Sequence, residues 1–594
     1  MISPPVKVLF INFPPQPLGE VVPALEGKSD VLPGFVIPMG ICYLSTNLKS
    51  RVGNVDIKLI DYAKELTMRA GEFNSLEDLI GKPASELAEN FTPDIIGFSM
   101  LFSTCHPLFI VAATELKKIW PDAVMITGGN HGTNSVDVIV EHPNIDYVAK
   151  GECELALAEF VENFHRRDEI QVQGIYSRQH ILDKLPTPHA VAVDDLDELG
   201  FPDWELLDIE AYVTSPFKRS RTWKGEGSED REISILTTRG CSFSCTFCAV
   251  HTTMGRKVRF RSVEHVIAEM RQLWERYKVN LFLVEDDLFT ANRKKVLPLL
   301  AAMNKLAEEI PEFETQFPSA LSVNTLFDDV MDALIDAGMR VTNVAIESGS
   351  KHVQRHIIKK NCNLDRAKEV VKYFRDHGII TRCYFIGGFP GETREMLNET
   401  LEYAKNLNCD WATFGIAAPL RGSEMYDQFI DLGYIKDDMA QWSSAFYQER
   451  IFDTPEIGAA EIKDFFYRAN LEVNFINNPN VLHKRWDHCL QVFSGIVAGY
   501  PYHIFGWYVI MKAHAGLGDH DMAAEIREKI YDLVDTDERA TRLYRKFGFL
   551  LKDIHIDGFT FDEEEDENIN INDLDAPILS EEKMRVKPIM HNVG

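Results

Sequence analysis

Three cysteines fall within eight residues of one another, in Arg239-Gly-Cys241-Ser-Phe-Ser-Cys245-Thr-Phe-Cys248. A Cys-x3-Cys-x2-Cys loop is short enough to wrap three corners of one iron–sulfur cubane. Three local thiolates leave one iron of a [4Fe–4S] cluster without a protein sulfur, and catalytic metal sites keep such a position for a small molecule. Zinc is the competing reading. It needs a fourth donor, which His251 can supply, but its sites more usually show paired Cys-x2-Cys units. The other cysteines, among them Cys153, Cys362 and Cys383, read as packed thiols. Ten in 594 residues are too sparse for a disulfide scaffold.

The cysteine loop must be held by a strand. Ile233-Ser-Ile-Leu-Thr237 runs directly into it, and strands near 281–284, 317–323, 341–346, 379–386 and 412–416 follow. Helical periods over 262–277, 293–309, 328–337, 364–377 and 393–407 separate them. This order predicts a partial, TIM-like (β/α)6 barrel with the loop at its C-terminal face, where barrels build their chemistry. Upstream, strands at 6–12, 55–60, 94–99, 123–127 and 145–149 alternate with helices at 39–51 and 154–165. That pattern predicts an α/β, doubly wound, Rossmann-like unit that takes ligands at its strands' carboxyl ends. Residues 456–549 show helical periods without strand signals. The expected division is therefore 1–170 doubly wound, 171–230 linker, 231–445 barrel, 446–555 helical and 556–594 an acidic, solvated tail.

The chain carries 62 basic and 91 acidic residues, a net charge of −29 that excludes broad nucleic-acid binding. No apolar run approaches the roughly 20 residues needed to span a bilayer. With no secretory pattern at its start, the chain reads as cytoplasmic, in a compartment that keeps thiols reduced.

The cysteine motif resembles that of the radical S-adenosylmethionine superfamily, and the likeness covers about residues 230–440. Carried onto this sequence, it implies S-adenosylmethionine contacts from Phe247 beside the last cysteine and from Glu285 and Asp286 at the end of the second strand. It implies further contacts from Glu347 and Ser348 after the fourth strand, and from Gly388 and Glu392 in the turn after the fifth. The implied chemistry is reductive cleavage of S-adenosylmethionine to a 5′-deoxyadenosyl radical, with an external one-electron reductant of flavodoxin or ferredoxin type.

The first 165 residues resemble the cobalamin-binding domain of one branch of that superfamily. Pro38-Met-Gly-Ile-Cys-Tyr-Leu44 matches the helix start after the first loop. Ser99, Ser103 and Thr104 match the loop under the corrin; Thr127, Gly128, Gly129 and Asn130 match the loop near the nucleotide tail. Gly151 and Glu152 match the final turn. Gly128 and Gly129 would let the backbone approach a bulky ligand. The Asp-x-His-x-x-Gly motif of wider cobalamin families is missing, since Asp61 is followed by Tyr62-Ala63-Lys64. The resemblance therefore implies base-off cobalamin with no histidine from that motif. His106 and His131 are candidate ligands, although loop histidines are more often only hydrogen-bonded.

Together the domains imply a cobalamin-dependent radical enzyme, foremost a methyltransferase acting on an unactivated carbon or phosphorus of a small molecule. A cobalamin-assisted cyclisation, rearrangement or oxidation is the alternative within enzymes, and a cobalamin-binding sensor or carrier the alternative outside them. The substrate is expected between the barrel mouth and the helical domain. The aromatic run Gly499 to Tyr508 is a pocket candidate there, with core packing the plainer reading. The basic run Arg256-Lys257-Val-Arg259-Phe-Arg261 reads as an anion contact or a solvated face.

Overall fold

A computed structural model describes residues 4–25, 34–215, 229–437 and 450–559. The expected acidic run at 562–567 and the charged stretch at 218–228 lie outside them, as does the expected junction at 445–446.

Strands β1 (Val6–Asn12), β2 (Val55–Asp61), β3 (Ile95–Ser99), β4 (Val124–Gly128), β5 (Tyr147–Ala149) and β6 (Ile175–Ser177) form one sheet in the order 2-1-3-4-5-6. All but β6 run parallel. Their side chains are apolar on both faces: Leu9, Ile11, Ile96 and Met125 pack into one layer, Val8, Phe10, Ile95 and Ile126 into the other. A sheet buried on both sides needs such continuous apolar runs, and these made the strands readable. The strand order reverses between β1 and β3, whose paired last residues are Asn12 and Ser99. A doubly wound sheet opens its ligand crevice at that point.

The expected linker is not a separate connection. β6 extends the N-terminal sheet, and Trp204, Leu207, Ile209, Tyr212 and Val213 are buried in the core of the following domain.

Strand β7 (Glu232–Ile235) opens the second domain. The short antiparallel pair β8 (Thr238–Arg239) and β9 (Arg259–Phe260) brackets the cysteine loop. Then come β10 (Leu281–Val284), β11 (Glu314–Gln316), β12 (Leu321–Ser322), β13 (Val341–Glu347), β14 (Ile380–Gly387) and β15 (Trp411–Ile416). The third expected strand is split: β11 pairs with β10 and β12 with β13. The barrel wall is thus two parallel arcs, β11-β10-β7 and β12-β13-β14-β15. Ile233, Ile235, Val344, Ile346, Cys383, Phe385 and Phe414 pack outward against the helices. By alternation, Ser234, Gln316, Asn343 and Tyr384 face the barrel interior.

Helix Ala459–Asn470 belongs to the barrel, because Ile462, Phe465, Phe466 and Ala469 join the barrel core. It runs through a π-helical turn, Leu471–Ile476, into a separate helical core. Tyr500, Tyr502, Phe505 and Tyr508 are buried there, so the aromatic run builds that core rather than a pocket. Among the described residues no helix is long and apolar enough to cross a membrane.

Candidate active site

Cys241, Cys245 and Cys248 are half-buried and free of disulfides. Burial raises all three thiols, and Cys245 is pushed up to about 12. The Lys360 ammonium works against that rise at Cys245. Soft sulfur donors short of water and beside a cation suit an electron-rich cluster, which takes them as thiolates. Among the described residues no three His, Cys, Asp or Glu side chains are gathered closely enough to hold a single metal ion. Three free thiols on one short loop are a donor set whose chemistry fits a cluster with one corner left to a small molecule.

The loop is anchored from several sides. The Thr246 amide and hydroxyl donate to the Ile358 and Ile357 carbonyls, at 3.1 and 3.0 Å, and the Met425 amide donates to the Thr246 carbonyl at 2.8 Å. Arg256 donates to the Phe243 carbonyl at 2.7 Å. The Phe247 ring lies 5.8 Å from that of Phe389, which brings the cluster loop and the turn after β14 together.

The acidic triplet after β10 is divided in use. Glu285 is half-buried and accepts hydrogen bonds from Ser234 and Ser319, both at 3.3 Å, so it borders the barrel interior. Asp286 turns away: it accepts the Thr237 amide at 2.6 Å and the Thr237 hydroxyl, and burial lifts it to about 6. Asp287 accepts the Gly240 amide at 3.2 Å. The expected side-chain contact from Asp286 to S-adenosylmethionine is therefore corrected to a staple on the strand that feeds the cysteine loop.

Glu347 ends β13 at φ +72°, a left-handed conformation that costs a non-glycine residue on the order of 1–3 kcal/mol. A register shift between Ala345 and Glu347 puts it there, and its carboxylate binds Lys360 Nζ at 2.6 Å with both side chains under 10% exposed. Lys360 had no sequence signal beyond a charge in a basic stretch. Ser348 shares a hydrogen bond with Thr400 at 2.9 Å, so its hydroxyl shapes the turn instead of reaching a ligand.

In the turn after β14, Glu392 is fully buried and accepts the Gly388 and Phe389 amides at 2.7 and 3.2 Å. Burial pushes it up to about 8. A Cβ on Gly388 would sit 2.3 Å from Ile462 Cδ1. Both residues therefore close the turn and seat helix Ala459–Asn470, while Glu392 Oε1 is buried without a hydrogen-bond partner.

At the N-terminal sheet edge, the Thr127 hydroxyl is buried with no protein partner, which fits a bound polar group at the end of β4. Leu101 and Phe102, just past β3, are 58% and 46% exposed, an apolar shelf fitting the face of a large ring. Ser99 ends β3 half-buried. The other expected contacts are engaged within the protein. Thr104 donates to the Pro15 carbonyl at 2.6 Å, and Ser103 bonds His131 Nδ1 at 2.9 Å. His131 Nε2 meets His106 Nδ1 at 2.9 Å, and burial lowers both rings, His106 to about 4. These histidines are a buried hydrogen-bonded pair, not preformed ligands.

A Cβ on Gly129 would sit 2.5 Å from the Met100 carbonyl oxygen, so its positive φ serves the meeting of two loops. Gly128 lies beside Ala149, and the Gly151 amide donates to Thr133 at 3.0 Å. Asn130 accepts from Thr253 at 2.8 Å, and Glu152 binds Arg239 at 2.8 Å and also Arg259. Arg259 and Arg261, read as a possible anion contact, are buried against Glu152 and Glu269.

Residues 235–404 match the radical SAM superfamily and residues 30–161 the B12 binding domain. A cytidylyl-2-hydroxyethylphosphonate methyltransferase of Streptomyces wedmorensis is 25% identical over 75% of this chain and 87% of its own. An anaerobic magnesium-protoporphyrin IX monomethyl ester cyclase of Rubrivivax gelatinosus is 25% identical over 72% and 70%. The fold is similar to that of TsrM from Kitasatospora setae, a radical S-adenosylmethionine methyltransferase solved with cobalamin and a [4Fe–4S] cluster. That likeness has a TM-score of 0.56 and 17% identity over 73% of this chain and 76% of the other. The chain thus carries a radical SAM domain behind a B12 binding domain, the arrangement that cobalamin-binding-domain-containing radical S-adenosylmethionine enzymes share.

Proposed function

We propose that the chain methylates an unactivated carbon or phosphorus centre of a small molecule. The observation that carries this reading is the apposition of the two ligand edges. The β4 and β5 ends of the N-terminal sheet touch both flanks of the cysteine loop, through Asn130–Thr253 and Glu152–Arg239. A relative of methyltransferase activity aligned over most of its length supports it.

When bound, the cluster, S-adenosylmethionine and cobalamin supply a hydrogen-abstracting radical and a transferable methyl group. The chain's own residues hold and shield them. Cys241, Cys245 and Cys248 bind the cluster, while Asp286 and Asp287 fix the strand that carries it. Glu285, Phe247 and the 387–389 backbone line the S-adenosylmethionine side. Base-off cobalamin is supported by Asp61, which caps the next helix and accepts from Tyr212 and Asn12 at 2.6 and 3.0 Å. Tyr62 follows it, buried. Exposed Lys351 and Arg355 stand on the segment that anchors Thr246, two cations suited to an acidic flavodoxin or ferredoxin. Cysteines free of disulfides accord with a reducing, cytoplasmic setting.

The cyclase relative sustains a second reading, radical chemistry without methyl transfer. Anaerobic incubation with reductant, S-adenosylmethionine, methylcobalamin and candidate substrates separates the two. Over more turnovers than the methylcobalamin supplied can serve, methyl transfer yields S-adenosylhomocysteine beside 5′-deoxyadenosine; 5′-deoxyadenosine alone, with no methylated product, supports the cyclase-like reading. Neither product, from protein holding both cofactors, supports a sensor or carrier.

A further inference from the structure

Two loops of the N-terminal domain grip the cysteine loop at its two ends. On the entering side, Glu152 and Glu154, from the turn after β5, bind Arg239 at 2.8 and 2.6 Å; Arg239 is two residues before Cys241. Glu152 also binds Arg259, whose strand β9 pairs with β8 and closes the loop. Arg259 is held further by the Val193 carbonyl at 2.6 Å, and the Arg239 guanidinium lies 4.8 Å from the Tyr43 ring centre. The four charged side chains are each at most 7% exposed.

On the leaving side, the short helix Val250–Thr253 follows Cys248. There Thr253 donates to Asn130 Oδ1 at 2.8 Å, and Asn134 donates to Thr252 at 2.9 Å. Asn130 and Glu152 sit in the two loops that the sequence places around cobalamin. Breaking a buried pair of this kind leaves an uncompensated charge, so the grip holds the two domains' loops firmly in one register.

We infer that this double grip couples the two cofactor sites: ordering the cysteine loop around its cluster orders the 127–134 and 150–154 loops for the corrinoid, and the reverse. Glu152, Arg239 and Asn130 are then positioning residues that set the register between cluster and corrinoid. The inference rests on the proposed cobalamin binding. Its physical requirement is reciprocity, because a coupling free energy between two sites acts equally on both.

The test titrates hydroxocobalamin into the full chain, with the cluster assembled and with iron removed, following the corrin absorption. Assembled protein should bind at least about 5-fold more tightly, the lower range of ordinary coupling. Glu152→Gln and Thr253→Val should each bring that ratio close to one, and Glu152→Asp should restore part of it. Thr253→Val removes a single half-buried hydroxyl and keeps the test open if Glu152→Gln folds poorly. In the variants, electron paramagnetic resonance of cob(II)alamin should also show a weakened interaction with the reduced cluster. Equal affinity with and without cluster in the unaltered chain would overturn the coupling while leaving cobalamin binding intact. No binding in either state would overturn both.

Discussion

At the barrel mouth, the residues expected to hold the cluster are three thiols carried on a loop that other parts of the chain hold in place. At the N-terminal sheet edge, Ser103, Thr104, Asn130 and Glu152 instead bond to protein. The difference follows from the ligands. A cluster is held by covalent donors, and each corner bound to the protein takes its own sulfur. A wide macrocycle is held by shape, backbone and apolar contact, so polar side chains in the same loops are available to build and attach them. The cysteine motif therefore names donor atoms, whereas the polar residues of the short motifs around it, like those of the N-terminal loops, build the scaffold.

Four substitutions or conditions press on that contrast. Cys245→Ala should abolish cluster assembly and 5′-deoxyadenosine formation to background, with iron content as the check; retained iron and turnover would break the contrast outright. Lys360→Met strands the Glu347 carboxylate in the interior, and loss of one partner of a buried pair costs about 3–5 kcal/mol. Chemical denaturation should show that loss, and the double variant Lys360→Met/Glu347→Gln should recover most of it.

Glu392 gives a smaller effect with a defined sign. Its ordinary value of 4.5 is raised to about 8 by burial, so the folded chain holds more protons than the unfolded one between those values. Stability from this group is complete below about pH 4.5 and is lost as pH rises through about 8. The slope is at most about 1.4 kcal/mol per pH unit. Glu392→Gln should flatten that part of a stability–pH profile. The smallest effect is expected at Thr127→Val. It should weaken corrinoid affinity by about one hydrogen bond, on the order of 1 kcal/mol, with the melting temperature unchanged or slightly raised. A full-sized loss would show that the sheet edge depends on side-chain contacts as the barrel mouth does.

The architecture was legible where burial on both sides leaves only apolar residues, as in Val6–Asn12 and Ile95–Ser99. The third barrel strand was misplaced because Phe317 to Ala320 interrupts it, and an apolar run does not announce such a break. The place of the cysteine loop, just past the first barrel strand, was legible from the apolar run at 233–237. Glu152, Asp286 and Glu392 were assigned to ligands, since an acidic residue in a loop looks the same whether it faces a ligand or an arginine or amide distant in sequence. Lys360 and Arg239 were missed as site residues for that reason, and Arg259 was read as an anion contact or a solvated face: their partners, Glu347 and Glu152, lie 13 to 107 residues away. One signal was available. Polar residues at alternate positions in buried strands, such as Asn343 and Tyr384, mark a polar barrel interior.

Helix Ala459–Asn470 has a mechanical consequence. Its outer continuation is bolted to the barrel wall, for Asn474 exchanges two hydrogen bonds of 2.7 Å with the Ala412 backbone on β15. Lys405 clamps Glu472 beside it. A lobe fastened in this way travels with the wall and is no swinging door. A chain cut before residue 459 would strip Ile462, Phe465 and Phe466 from the barrel core and bare an apolar face, so the barrel is finished only by the helix that leads into the C-terminal lobe.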